Sequence, residues 1–151
     1  MKARTSIIGL FFILFFSTTT VYAQEMGLFS SYLVGTYDMR GGHTLLQIIN
    51  PTAKGIEVYI AFFDADEKPL MCKKDKLSHN DLLEIDVKAL KLNVKFGVVK
   101  IVSLRDKKPV PGIVGFQRHF FDKVGVTESN LAAVPAKILE EEIKVIMDVC
   151  K

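Results

Sequence analysis

Spacings that hold a metal are missing from this 151-residue chain: His43, His79, His119, Cys72 and Cys150 form neither His-x-x-x-His nor Cys-x-x-Cys. Locally encoded zinc ligation is therefore excluded, and no metal or other cofactor is expected. Asp64-x-Asp66-Glu67 opens like a calcium loop, but its sixth and twelfth positions hold Pro69 and Asp75 in place of glycine and glutamate. A solvated turn is the expectation there. Ser30, Ser31, Ser78, Ser103 and Ser129 stand in no Gly-x-Ser-x-Gly context, and no glycine-rich phosphate loop occurs. No catalytic residue is assigned.

The lysines are scattered, with no basic stripe, so a nucleic-acid partner is not expected. No run reaches 18 apolar residues, and even Tyr59-Ile60-Ala61-Phe62-Phe63 is flanked by Glu57 and Asp64. No transmembrane segment is expected once the leader is removed. The leader is explicit. Lys2 and Arg4 precede an apolar run from Ile7 to Phe16, and Val21-Tyr22-Ala23 places small residues where signal peptidase requires them. Residues 1–23 are read as a cleaved signal peptide, which sends the remainder to the periplasm, the cell surface or the medium. Lys2 and Arg4 leave with it, so the formal charge falls from +3 to +1.

What is present is β-sheet sequence. Short runs of β-branched and aromatic residues recur every eight to twelve positions, separated by turn residues. Strands are predicted over 31–38, 43–50, 56–64, 69–73, 82–87, 96–104, 113–121 and 130–134. Gly41-Gly42, Asn50 to Gly55 and Asp64 to Lys68 are predicted hairpin turns. No strand alternates with a long helix, which excludes a parallel α/β fold. The expected fold is all-β: a two-sheet, immunoglobulin-like β-sandwich of seven or eight strands over 24–134, with one C-terminal amphipathic helix over 135–151 in the same domain.

Two strands carry more information than the others. In 82–87, Leu83, Ile85 and Val87 alternate with Glu84 and Asp86, the pattern of a half-buried strand. In 56–63, Ile56, Val58, Ile60 and Phe62 form one face, but Tyr59, Ala61 and Phe63 make the other apolar as well. Such a strand needs a cover on both sides. The helix is the expected second cover, because Leu139, Ile143 and Ile146 line one face of it. Eleven residues beyond Leu139, at about 100° each, Cys150 returns to that face. Cys72 is its one candidate partner within the chain, and in an oxidising compartment the two are expected to form a structural disulfide. An intermolecular bridge through Cys150 and two free thiols are the alternatives.

The most distinctive polar cluster is Gln117, Arg118 and His119 in "GFQRHFF", the weak ligand-contact candidates of the chain. An arginine between phenylalanines can anchor a ligand, but more often it lies along an edge strand with its stem over the rings. Finally, "LLQIINPTAKGIEVYIAFFDADEKPL" resembles one hairpin of bacterial immunoglobulin-like and fibronectin-like sandwiches. That resemblance implies a domain used for binding or surface architecture. The functional expectation is thus an exported, non-catalytic module whose partner is an unidentified protein, a glycan or the chain itself. The alternative is a small extracytoplasmic hydrolase or metal-dependent enzyme, its site assembled from separated strands around His43, His119 and an aspartate.

Overall fold

The computed structural model describes residues 30–133 and 139–151. The predicted signal peptide over residues 1–23 and the predicted helix start at Pro135 lie outside the described residues. In chain order the elements are β1 (Tyr32–Asp38), β2 (Gly42–Asn50), β3 (Ile56–Asp64), β4 (Pro69–Leu77), β5 (Asp81–Asp86) and a 3-10 turn (Val87–Leu90). They continue with β6 (Phe96–Arg105), β7 (Lys108–Pro109), β8 (Val114–Phe121), β9 (Gly125–Asn130), β10 (Ala132–Ala133) and the helix α1 (Leu139–Val149).

The strands form two packed sheets, a β-sandwich as the turn spacing foretold. One sheet runs β10-β1-β6-β3-β4, with β7 paired to the end of β6, and the other runs β5-β2-β8-β9. All pairings are antiparallel. The core between the sheets takes the inward alternates: Ile56, Val58, Ile60 and Phe62 from β3, Leu46 and Ile48 from β2, Val99 and Ile101 from β6. Ile85 and Val87 are buried there and Leu83 packs against them, as the 82–87 alternation requires.

Two expected hairpins are not hairpins. β1 and β2 lie in opposite sheets, and so do β2 and β3, so the Gly41-Gly42 and Asn50 to Gly55 turns carry the chain across the sandwich. Asn50 explains the second crossing. Its buried side chain donates from Nδ2 to the Lys54 and Ser78 carbonyls and accepts from the Thr52 amide and hydroxyl, work that a hairpin ladder would otherwise do. The segment that resembles an immunoglobulin-like hairpin is therefore two strands in two sheets. Immunoglobulin constant domains also pair their first two strands, which this order does not. The Asp64 to Lys68 turn does close the β3-β4 hairpin, with the Asp64 carboxylate accepting from the Asp66 and Lys68 amides.

The second face of β3 is covered as its composition demanded. Tyr32, Ala61, Phe63, Val102, Leu104, Ile146 and Cys150 make a separate buried cluster, with Tyr59, Ile143 and Met147 packed on it. This is α1 lying on the outer face of the larger sheet. Cys150 is 4% exposed and bonded to Cys72 on β4, with 5.1 Å between the Cα atoms. Glu142 adds a polar fastening: its Oε2 accepts from the Tyr32 hydroxyl at 2.8 Å and pairs with the Lys100 ammonium at 2.8 Å. Burial and this neighbouring carboxylate push the Tyr32 hydroxyl pKa far up, while the Lys100 hydrogen bond holds Glu142 below the usual glutamate range.

Candidate binding surface

The outer face of the smaller sheet meets no helix among the described residues. Register fixes its composition. His43 lies beside Phe120, Leu45 beside Arg118, Gln47 beside Phe116 and Ile49 beside Val114. β5 adds Leu82, Glu84 and Asp86 on one flank, and β9 adds Val126, Glu128 and Asn130 on the other. Leu82 is 51% exposed and Val126 is 55% exposed, while the central residues are half-buried among one another. The rings of His43 and Phe120 stack in parallel, 4.4 Å apart at an interplanar angle of 2°. Large apolar side chains left open on one sheet face are the usual mark of an interaction surface.

The predicted cluster is split by strand alternation. Arg118 points to the open face between Phe116 and Phe120, and its Nε pairs with Glu128 across the β8-β9 ladder. It is not on an edge strand, because β9, a polar segment without apolar alternation, lies outside β8. Gln117 and His119 point the other way, toward the free edge of β1. There Gln117 Oε1 accepts the Thr36 amide at 3.0 Å, and its Nε2 donates to Ser129 Oγ. Thr44 Oγ1 accepts the Asp38 amide at 2.9 Å and lies 2.9 Å from His119 Nδ1. Burial lowers the His119 pKa, opposed by the nearby Asp38 carboxylate, so the neutral ring is the favoured form at neutral pH.

These side chains do a definite job. Among the described residues β1 pairs with β10 only at Leu33 and Val34, so its amides beyond that point meet no described strand on that side. Gln117 and Thr44 reach from the smaller sheet to satisfy them, which ties the two sheets along one side. The approach is close enough to require glycine: a Cβ on Gly35 would sit 2.5 Å from Gln117 Oε1 and 2.3 Å from Leu131. Asp38 turns its carboxylate to Arg40, whose guanidinium lies 4.6 Å from the Phe96 ring centre. Gln117 and Thr44 thus brace the two sheets, His119 meets Thr44 within the smaller sheet, and of the three candidates only Arg118 lies on the open face.

His43 and His119 lie on opposite faces of the smaller sheet, since His43 faces Phe120 in the ladder while His119 faces Thr44. His79 is remote from both, in the β4-β5 turn, with Nδ1 2.7 Å from the Thr52 carbonyl oxygen. The described residues gather no cluster of three histidine, cysteine or carboxylate side chains. A surface groove of about 430 Å³ lies elsewhere, at the end of the sandwich, over Leu77 and Leu104. Much of its polar rim is paired within the chain: Arg105 Nε donates to the Gly55 carbonyl, Lys76 pairs with Glu57, and Ser78 donates to Asp81.

The fold has a relative among solved structures. It is similar to the crystal structure of Thermotoga maritima 1070, with a TM-score of 0.55 and 16% identity, covering 70% of this chain and 95% of that one. At this identity the likeness extends to the fold alone. No protein-family model and no curated protein matches the sequence.

Proposed function

We propose that this protein is an exported, non-catalytic β-sandwich module that acts by binding, and that the open face of its smaller sheet is the contact surface. The observation that carries this reading is the asymmetry of cover: α1 closes the outer face of the larger sheet, while Leu45, Phe116, Phe120, Leu82 and Val126 on the other remain uncovered among the described residues. Rigid stacked rings flanked by polar residues suit a protein or glycan partner, since they offer contact area at little entropic cost. Export is supported by the leader sequence and by the disulfide, which belongs to oxidising compartments.

A photo-reactive residue at Leu82 tests the surface. In its native compartment the labelled chain should form covalent adducts, and the same probe at Val145, exposed on α1, should form few. Equal labelling at both positions would remove the face from consideration. A sandwich can instead hold an enzyme site built from separated strands, but His43 and His119 facing opposite sides does not favour it.

A further inference from the structure

Exposed hydrocarbon gathers at one end of the sandwich. Of the six large apolar side chains left open among the described residues, four lie there: Phe96, Phe121, Val126 and Val124, the last 88% exposed. Antiparallel register brings them together, because β1 and β8 end where β2, β6 and β9 begin. Backbone bonds join the turns of this end: the Met39 amide donates to the Lys95 carbonyl, Asp122 to Gly41, and Val124 to Phe121. The Arg40 guanidinium lies over the Phe96 ring. Single exposed apolar residues are ordinary, whereas a group of them on joined turns marks a contact surface.

The fold also collects cations there that are dispersed in the sequence. Arg40, Lys88, Lys91, Lys95 and Lys123 are exposed on segments 39–41, 87–95 and 122–124, where Asp122 is the one carboxylate. Asp38 and Asp86, at the strand ends beneath, are engaged with Arg40 and with the Lys88 amide. None of the four lysines makes an ion pair among the described residues. The acidic β3-β4 turn reaches the same end but leans to the other side. Burial and Glu142 raise the Tyr32 hydroxyl pKa and Glu67 adds to that shift, which sets this turn beside the helix-covered face.

We infer that this end of the sandwich is a peripheral membrane-docking surface: Val124, Phe121 and Phe96 enter the interface of an anionic phospholipid bilayer, and the lysines rest on its phosphates. Two features select a bilayer. A soluble polyanion would answer the lysines but leave the rings and Val124 in water. A protein partner would want one flat packed patch, and these apolar side chains stand on separate turns with Val124 at a tip. A bilayer satisfies both, since hydrocarbon enters the headgroup region while each lysine near the surface strengthens binding about fivefold. No described helix is long and apolar enough to cross a membrane, so the contact is peripheral. It concerns the end of the sandwich and does not rest on the proposed contact surface of the smaller sheet.

Flotation with lipid vesicles tests it, using purified protein that begins at Gln24 and so keeps every described element. The wild type should float with vesicles containing phosphatidylglycerol and stay behind with pure phosphatidylcholine, and added salt should release it. Val124→Asp should weaken binding by about tenfold or more, the value of one buried valine. Lys91→Glu combined with Lys95→Glu should weaken it by about tenfold or more through lost attraction. Val145→Asp, which adds the same charge on exposed α1, should leave it unchanged, with circular dichroism confirming that all variants are folded. A wild type that does not float, or a folded Val124→Asp that floats as the wild type does, would overturn the inference. Retention on immobilised polyphosphate without flotation would assign the lysines to a soluble polyanion and overturn it as well.

Discussion

The two outer faces of this sandwich start from similar material and end differently. β3 brings Tyr59, Ala61 and Phe63 to one, and β8 brings Phe116 and Phe120 to the other. Over β3 the chain lays its own helix and fastens it three ways: by apolar contact through Ile143, Ile146 and Met147, by the Glu142 pair with Lys100, and by the bond from Cys150 to Cys72. Over β8 the described residues lay nothing. Hydrocarbon on a sheet does not by itself say whether it is core or contact surface; what decides is whether the chain carries a second element with a matching stripe and a means of holding it.

Four substitutions sharpen this contrast, taken from the largest expected effect. Phe62→Ala, between the sheets, should cost about 3–5 kcal/mol in urea unfolding, because neither face can collapse into the cavity. Cys150→Ser should cost about 2–4 kcal/mol while leaving most β structure in circular dichroism, since the released constraint chiefly holds α1. Limited proteolysis of that variant should cut first just before α1.

Glu142→Gln should cost about 1–2 kcal/mol by weakening a charge-assisted bond and leaving the Lys100 ammonium uncompensated. Its effect depends on pH. Because the folded pKa of Glu142 lies below its ordinary value of 4.5, its stabilisation is complete above pH 4.5 and is lost as pH falls through the lower folded value. A plot of stability against pH below 4.5 should be flatter for Glu142→Gln than for the wild type. Leu82→Ser, on the open face, should change stability by no more than about 0.5 kcal/mol. A large loss there would mean that this face is core after all.

Sequence made the helix-covered side more legible than the open one. Alternation along 56–63 revealed a strand with two apolar faces, and helical phase turned Cys150 inward, because both follow from fixed periods of three-dimensional structure. Sheet membership was not legible. A turn such as Asn50 to Gly55 has the same residues whether it closes a hairpin or crosses the sandwich, and only the long-range bonds of Asn50 to Ser78 distinguish the two. β9 escaped because exposure on both sides leaves no apolar alternation to detect. The reach of Gln117 to the Thr36 amide was not legible either, because a polar side chain that bonds a distant backbone amide carries no local sign of it. Lys100 offered the signal that could have found the Glu142 contact: a lysine in the middle of the apolar strand "FGVVKIVSL" needs a carboxylate partner.

The most direct test of the contrast is carbene footprinting of the protein, purified and in its native compartment, read residue by residue. The account predicts that Ala61 and Phe63, both buried under α1, are protected in both samples, and that Leu82 on the open face is labelled in the purified protein but protected in the native one. Labelling of Phe63 in the purified protein, or equal labelling of Leu82 in both settings, would contradict it.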